Sequence, residues 1–468
     1  MKKNKFNLFK KSVCIFLLLS LAFSGISVFA DEEQAPEQKN ESYVKPFVYF
    51  HEKPMCEFAG IESPEIHGKY AVAVNADTGS IMYCKNQNVL AFPASTVKIM
   101  TAIVAYENIP DLETEIMASE NAVKISRGTR LNPLQPIKAG EKFTARQLMY
   151  AMLMNGANDA ANVLAEHVGG SVAKFCEMMN DKAKEIGAVN TVFKNPTGLH
   201  EEGMVTTAYD MALIANYAYF INEITEMAST ANYTIDKTEK TDTSRYIINR
   251  NRMILRLEGQ KNYFYKGSRG LSSGSTPQGG VCIVAAAKRN GLTYIVVVLD
   301  SEETDSENFG YSDAESILDM CFNEFSMQEV ISKNKIACEV PVGLSSSTDY
   351  ATLFPKESVS ALLPNNIDTG ADLKYEKLIY KDANAPIRQG DEFGDYVAVF
   401  KDDIVLGRTK LVSGTDIERS NILYIMHRIT NFLKSRWFKA AAVSAVVIFI
   451  IYCVAYARAR KKRRNYRR

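Results

Sequence analysis

Hydrophobic and polar positions divide the chain into blocks of different period. The alternating stretch Tyr70-Ala71-Val72-Ala73-Val74 predicts a strand, followed by a turn at Asp77-Thr78-Gly79-Ser80 and a second short strand over residues 81–84. Pro93 and Ala94 then lead into an apolar helical run over residues 97–106. Thr144 is placed to cap a helix carrying Leu148, Met149 and Met152. Asn155-Gly156-Ala157-Asn158 interrupts that helix, and the periodicity resumes over residues 160–168 before Gly169-Gly170. Two strands return, Val281-Cys282-Ile283-Val284-Ala285-Ala286-Ala287 and residues 292–299, with the hairpin signal Asn290-Gly291 between them. Strands first, helices to about residue 219 and strands last predict an α/β (α+β) domain whose sheet is completed by both ends of one segment. Over residues 336–413 helical periodicity fades and alternating segments such as Tyr396-Val397-Ala398-Val399-Phe400 recur. This predicts a separate small β domain over residues 334–415.

The ends follow other patterns. Lys2, Lys3, Lys5, Lys10 and Lys11 precede an apolar run over residues 13–23, and Ser27-Val28-Phe29-Ala30 places small residues ahead of Asp31-Glu32-Glu33. That is the pattern of a secretory signal peptide over residues 1–30. Residues 31–64, polar and acidic with Pro36, Pro46, Pro54 and Pro64, read as a linker. Residues 440–457 are uncharged, apolar and long enough to cross a bilayer. The basic residues that follow, within 458–468, predict a cytoplasmic tail, a membrane-anchored chain and an extracytoplasmic ectodomain. Trp437 stands at the outer boundary of this span. Within residues 421–438, Ile422, Ile425, Met426, Ile429 and Leu433 fall at helical spacing, which fits either a helix lying on the outer leaflet or a helical stalk.

Composition narrows the function. Lys+Arg 55 against Asp+Glu 54 gives no charge bias of the kind that binds nucleic acid, and a basic tail directly after a span is a topology signal. Cys14 lies in the signal peptide and Cys453 in the span. Cys56, Cys84, Cys176, Cys282, Cys321 and Cys338 are scattered without close spacing, and neither C-x-x-C nor H-E-x-x-H occurs. No metal, cofactor or nucleic-acid partner is expected.

The candidate chemistry lies in Ala94-Ser95-Thr96-Val97-Lys98. Residues three apart share a helix face, so the Lys98 amine can reach the Ser95 hydroxyl. A serine needs an adjacent base to become a nucleophile, and a desolvated lysine can serve. Ser42/Lys45, Ser171/Lys174 and Ser332/Lys335 have the same spacing. Only Ser95 has a strand–turn–strand–helix setting that presents a hydroxyl at the start of a helix.

With these residues in view, residues 65–325 resemble the D-alanyl-D-alanine carboxypeptidases, the low-molecular-weight penicillin-binding proteins. Phe92-Pro93-Ala94-Ser95-Thr96-Val97-Lys98-Ile99-Met100-Thr101 resembles their nucleophile motif. Asn158-Asp159-Ala160-Ala161 with Ala165-Glu166-His167 resembles the second motif region. Asn195-Pro196-Thr197-Gly198-Leu199-His200 and Thr206-Thr207-Ala208-Tyr209-Asp210-Met211-Ala212 are similar to a further stretch. The order of signal peptide, peptidase domain, β domain and C-terminal anchor is also that of the family. The resemblance implies a DD-peptidase/β-lactamase-like domain over residues 65–328, with an antiparallel sheet and a helical lobe. It implies cleavage of the terminal D-alanine from peptidoglycan stem peptides through an acyl-enzyme on Ser95, which β-lactams trap. Lys98 is then the base, Asn158 binds the substrate backbone, and Ser272, Ser273, Gly274 and Thr276 line the substrate strand. The oxyanion hole is implied to be the backbone N–H groups of Ser95 and of a strand residue near Thr276.

Two motifs depart from the family pattern. The serine of S-x-N is replaced by Gly156, and the lysine of K-T-G by Ser272 in Gly270-Leu271-Ser272-Ser273-Gly274-Ser275-Thr276. Ser119-Glu120-Asn121 and Lys138-Ala139-Gly140 carry similar letters out of order, and Lys266 and Arg269 are the nearest cations upstream of Ser272. Loss of a general acid–base participant typically costs about 10²–10⁴ in rate. The reading is therefore a serine carboxypeptidase weakened at two motifs, with a catalytically degenerate cell-wall binding or regulatory homologue as the alternative.

Overall fold

The computed structural model describes residues 53–124, 128–132, 135–256, 261–401 and 404–465. The expected signal peptide and most of the expected linker lie outside these residues.

Strands β1 (Tyr70–Asn75) and β2 (Ile81–Lys85) open the peptidase-like domain, and a 3₁₀ turn, Ala94–Val97, runs straight into helix α1 (Lys98–Asn108). Helices α2 (Ala145–Asn155) and α3 (Asn158–Gly169) follow, then helices Val172–Ile186, Ala208–Tyr219 and Asn222–Ser229. The chain returns as β3 (Ser268–Thr276), β4 (Gly280–Arg289) and β5 (Leu292–Ser301), closed by α4 (Phe309–Glu324). The five strands make one antiparallel sheet in the order β2-β1-β5-β4-β3, so first and last segments meet where β1 pairs with β5. Asn290 and Gly291 both take positive φ, 51° and 82°, as the tight turn between β4 and β5 requires.

Side-chain alternation divides the core between the two faces of this sheet. Val72 and Val74 of β1 and Val284 and Ala286 of β4 join α1, α2 and α3 in one apolar cluster. Ala71, Ala73, Val281 and Ile283 face the other way, onto Tyr311, Ala314, Ile317 and Leu318 of α4. Both faces are covered, which is why β4 and β5 read as nearly unbroken apolar runs. At α2, Thr144 accepts from the Gln147 N–H and the Gln147 side chain from the Thr144 N–H, a complete capping box.

The linker expectation needs correction where it overlaps the described chain. Met55–Phe58 is one helical turn, and Met55 and Cys56 are wholly buried against Ala71, Ala73, Met82 and Tyr83. One turn is too short for its apolar residues to show a period, and the flanking prolines mask it.

After α4 the chain passes directly into strand Phe325–Ile331, which pairs with Val359–Pro364. A six-stranded sheet follows, built around Glu392–Phe400 and Ile404–Ser413. The strand Phe325–Ile331 spans the expected domain boundary and belongs to the β domain by its pairing. Near the C-terminus, helix Asn421–Lys434 stops at Ser435, whose hydroxyl accepts the Phe438 N–H of the next helix, Arg436–Asn465. The expected amphipathic segment over 421–438 is thus two helices with a break. The second contains Arg436–Arg458, long and apolar enough to cross a membrane.

Candidate active site

Ser95 and Lys98 stand at the turn into α1. Ala94 has φ 47°, an uncommon value for a residue with a Cβ, and the 3₁₀ turn begins there. Lys98 is 1% exposed; its Nζ lies 3.3 Å from Ser95 Oγ and donates to the Thr197 carbonyl oxygen. Burial pulls its pKa from the ordinary lysine value down to about 7, against the attraction of Asp159. The Asp159 carboxylate accepts from the Leu131 N–H at 2.9 Å and the Ala160 N–H at 3.0 Å, and burial raises its pKa. A serine hydroxyl beside a buried amine that titrates near neutrality can lose its proton to that amine.

The loop Asn195-Pro196-Thr197-Gly198 forms the wall behind the lysine. Asn195 Oδ1 accepts from the Thr197 N–H (3.2 Å), the Thr197 hydroxyl (2.9 Å) and the Gly198 N–H (2.9 Å). Thr101 on α1 donates to the Pro196 carbonyl at 2.8 Å. Gly198 has φ +79°, and a Cβ there would fall 1.9 Å from the Ala94 carbonyl oxygen. The loop is thereby seated on the backbone that presents Ser95.

Strand β3 forms the opposite wall. A Cβ on Gly274 would lie 2.4 Å from Ser95 Cβ, so only glycine lets the strand run this close to the serine. The Ser272 hydroxyl donates to the Ser95 carbonyl oxygen at 3.3 Å, and Ser273 Oγ accepts from Tyr311 OH of α4 at 2.8 Å. Between strand and helical lobe lies a cleft of about 670 Å³, lined in part by Ser95, Lys98, Asn155, Gly156 and the strand residues Ser272, Ser273, Gly274 and Ser275.

Two expected site residues do not line this cleft. Asn158, at the start of α3, is 3% exposed and is not part of the cleft lining. Its N–H donates to the Thr129 carbonyl at 2.7 Å, and Gly128 packs so tightly on its amide that a Cβ would lie 2.1 Å from Asn158 Nδ2. Thr276 lies outside the lining as well, its hydroxyl accepting the Gly279 N–H at 2.9 Å in the turn after β3. Lys266 and Arg269 are exposed and do not line the cleft. Among the described residues the cations that do line it, besides Lys98, are Arg250 and Arg252, which no spacing rule singles out. Gly156 ends α2 with φ +69°.

The look-alike motifs resolve into caps and turns. Ser171 caps helix Val172–Ile186 by accepting the Lys174 N–H, and Ser119 caps Glu120–Val123 by accepting the Ala122 N–H at 3.0 Å. Ser332 and Lys335 share a backbone turn, and Ser42/Lys45 lies outside the described residues. Among the described residues no group of three or more His, Cys, Asp or Glu side chains is placed to hold a metal.

An antiparallel sheet flanked by a helical lobe, with a serine–lysine pair in the cleft between, defines the DD-peptidase fold. Residues 58–303 match the family described as D-alanyl-D-alanine carboxypeptidase, and residues 325–419 match the C-terminal domain of penicillin-binding protein 5. The chain belongs to the D-alanyl-D-alanine carboxypeptidase family. It is 31% identical over 364 residues to the carboxypeptidase DacF of Bacillus subtilis, covering 77% of this chain and 88% of that one. Among solved structures it is similar to the carboxypeptidase DacD of Francisella tularensis, with 26% identity, a TM-score of 0.56 and coverage of 77% and 95%. Penicillin-binding protein 5 of Haemophilus influenzae shares the fold, with 21% identity, a TM-score of 0.55 and coverage of 77% and 100%.

Proposed function

We propose that this chain is a serine-type D-Ala-D-Ala carboxypeptidase of the cell wall, with Ser95 as nucleophile and Lys98 as its base. The observation that carries this reading is the buried Lys98 amine, 3.3 Å from Ser95 Oγ, where burial pulls its pKa down to about 7. The neutral amine takes the Ser95 proton as Oγ attacks the carbonyl carbon of the penultimate D-alanine. Backbone N–H groups of Ser95 and of β3 stabilise the oxyanion. The C–N bond breaks, D-alanine leaves with a proton returned from Lys98, and water then hydrolyses the ester. Ser272, Ser273 and Gly274 hold the substrate along β3, with Thr276 beyond the end of the cleft. Asn158 acts from beneath, by holding the Gly128–Thr129 segment, rather than by touching the peptide. A signal peptide over residues 1–30 and a span over residues 440–457 would place the ectodomain outside the membrane, where peptidoglycan and β-lactams are met.

Intact-mass measurement after incubation with a penicillin tests the assignment. A single adduct is expected on the wild type and none on Ser95→Ala; a wild type that takes up no label overturns the reading. Gly156 and Ser272 favour a second reading, a homologue that binds wall peptides without turnover. An adduct without any D-alanine release from a diacyl-D-Ala-D-Ala peptide would select it.

A further inference from the structure

The family's strand lysine is absent from this cleft, yet a peptide ending in a carboxylate calls for a cation with hydrogen-bond donors. Ser272 stands in its place, with its hydroxyl engaged on the Ser95 carbonyl oxygen. Among the described residues three cations line the cleft: Lys98, Arg250 and Arg252. Lys98 is committed to Ser95 and Thr197, and must be neutral to act as a base. Arg250 reaches across to the helical lobe, where its Nη1 donates to Thr129 Oγ1 at 3.0 Å. Arg252 has neither commitment. It is half-buried, with its guanidinium 5.7 Å from the centre of the Tyr263 ring, and among the described residues it has no ion-pair partner. Glu303 also lines the cleft but does not pair with it.

Arg252 is also tied to the substrate strand. Its backbone N–H donates to Tyr311 OH at 3.4 Å, and that hydroxyl donates to Ser273 Oγ at 2.8 Å. Tyr311 is 4% exposed, so this link is fixed in the core rather than at the surface. Next to it, Asn251 is 5% exposed and lines the same cleft, and its Nδ2 has no acceptor among the described residues. A buried amide donor without a partner is costly unless a ligand or water takes it up.

We infer that Arg252, held to β3 through Tyr311 and Ser273, supplies the positive charge that binds the terminal carboxylate of the stem peptide. The charge has moved from the strand to the loop after residue 248, and a guanidinium there offers two parallel donors. This inference rests on the carboxypeptidase reading above.

The test uses the full-length Ser95→Ala protein in detergent, titrated with diacetyl-L-Lys-D-Ala-D-Ala and with its C-terminal amide. The free acid is expected to bind about tenfold to a hundredfold more tightly than the amide, as a hydrogen bond to a charged group requires. Arg252→Gln in the same background should abolish that preference, and Arg252→Lys should retain part of it. A preference that survives Arg252→Gln, or no preference while Arg252 is present, overturns the assignment. Penicillin labelling of the protein with Ser95 intact separates the two readings. No label overturns the catalytic reading and the inference with it; a label alongside an acid preference that survives Arg252→Gln overturns the role of Arg252 alone.

Discussion

Burial holds Lys98 at about 7, while the neighbouring Asp159 carboxylate pulls in the opposite direction. Only the neutral amine can accept the Ser95 proton, so acylation by a penicillin should rise with pH through about 7 and level off above it. Asp159→Asn removes the charge that favours the ammonium form. The midpoint of that limb should then fall, as read from second-order acylation rates across the range from about pH 5 to 9. An unmoved midpoint would show that Asp159 is not coupled to the base. Gly156 sets a different limit. With φ +69° it closes α2 in a left-handed conformation, although the space around it is open. A serine there would carry backbone strain, so Gly156→Ser should destabilise the protein by about 1–2 kcal/mol in thermal unfolding. Gly156→Asn should cost less, because asparagine tolerates that conformation. Equal melting temperatures for wild type and Gly156→Ser would remove the strain argument.

The turn, strand and loop around Ser95 work as a set of close backbone approaches. Gly198→Ala would put a Cβ 1.9 Å from the Ala94 carbonyl oxygen and 2.9 Å from Ser95 Cα, at a φ of +79°. Neither neighbour is the free end of a side chain, so the serine turn itself must shift. The expected outcome is a loss of about 1–3 kcal/mol in stability and a fall in acylation rate on the order of 10²-fold, the usual effect of a misplacement near 1 Å. A variant that acylates at the wild-type rate would show that the loop does not set the position of Ser95. Much of this set was legible in the chain. The Thr144 cap, the break at Asn155-Gly156-Ala157-Asn158 and the Asn290-Gly291 hairpin are local patterns, and each appears where its turn chemistry puts it. What was illegible depends on distant pairs. Arg252 reaches Ser273 only through Tyr311, which lies 38 residues beyond that serine, and Asn158 is covered by Gly128 from a different segment. Periodicity reports which face of an element is apolar, not which loop will lie over it.

At the scale of the whole molecule the same limit applies to boundaries. Met55 and Cys56 are core residues of the peptidase-like domain inside a segment with linker composition, and strand Phe325–Ile331 follows α4 without a break while pairing in the β domain. A run of 23 residues, Arg436–Arg458, rises about 35 Å as a helix, enough for the hydrocarbon core. The helix before it, Asn421–Lys434, exposes Ile422, Ile425, Met426, Ile429 and Leu433, and the extended backbone of Ser435 separates it from the following helix. Two truncations separate their contributions. A chain ending at residue 420 should be released from membranes. A chain ending at residue 434 keeps the amphipathic helix but not the span, and should remain weakly bound to vesicles through that apolar face. Release of the longer chain as complete as that of the shorter would make the helix a stalk instead of a leaflet-bound segment. Retention of the shorter chain after a high-salt wash would show that the C-terminal helices are not the sole anchor.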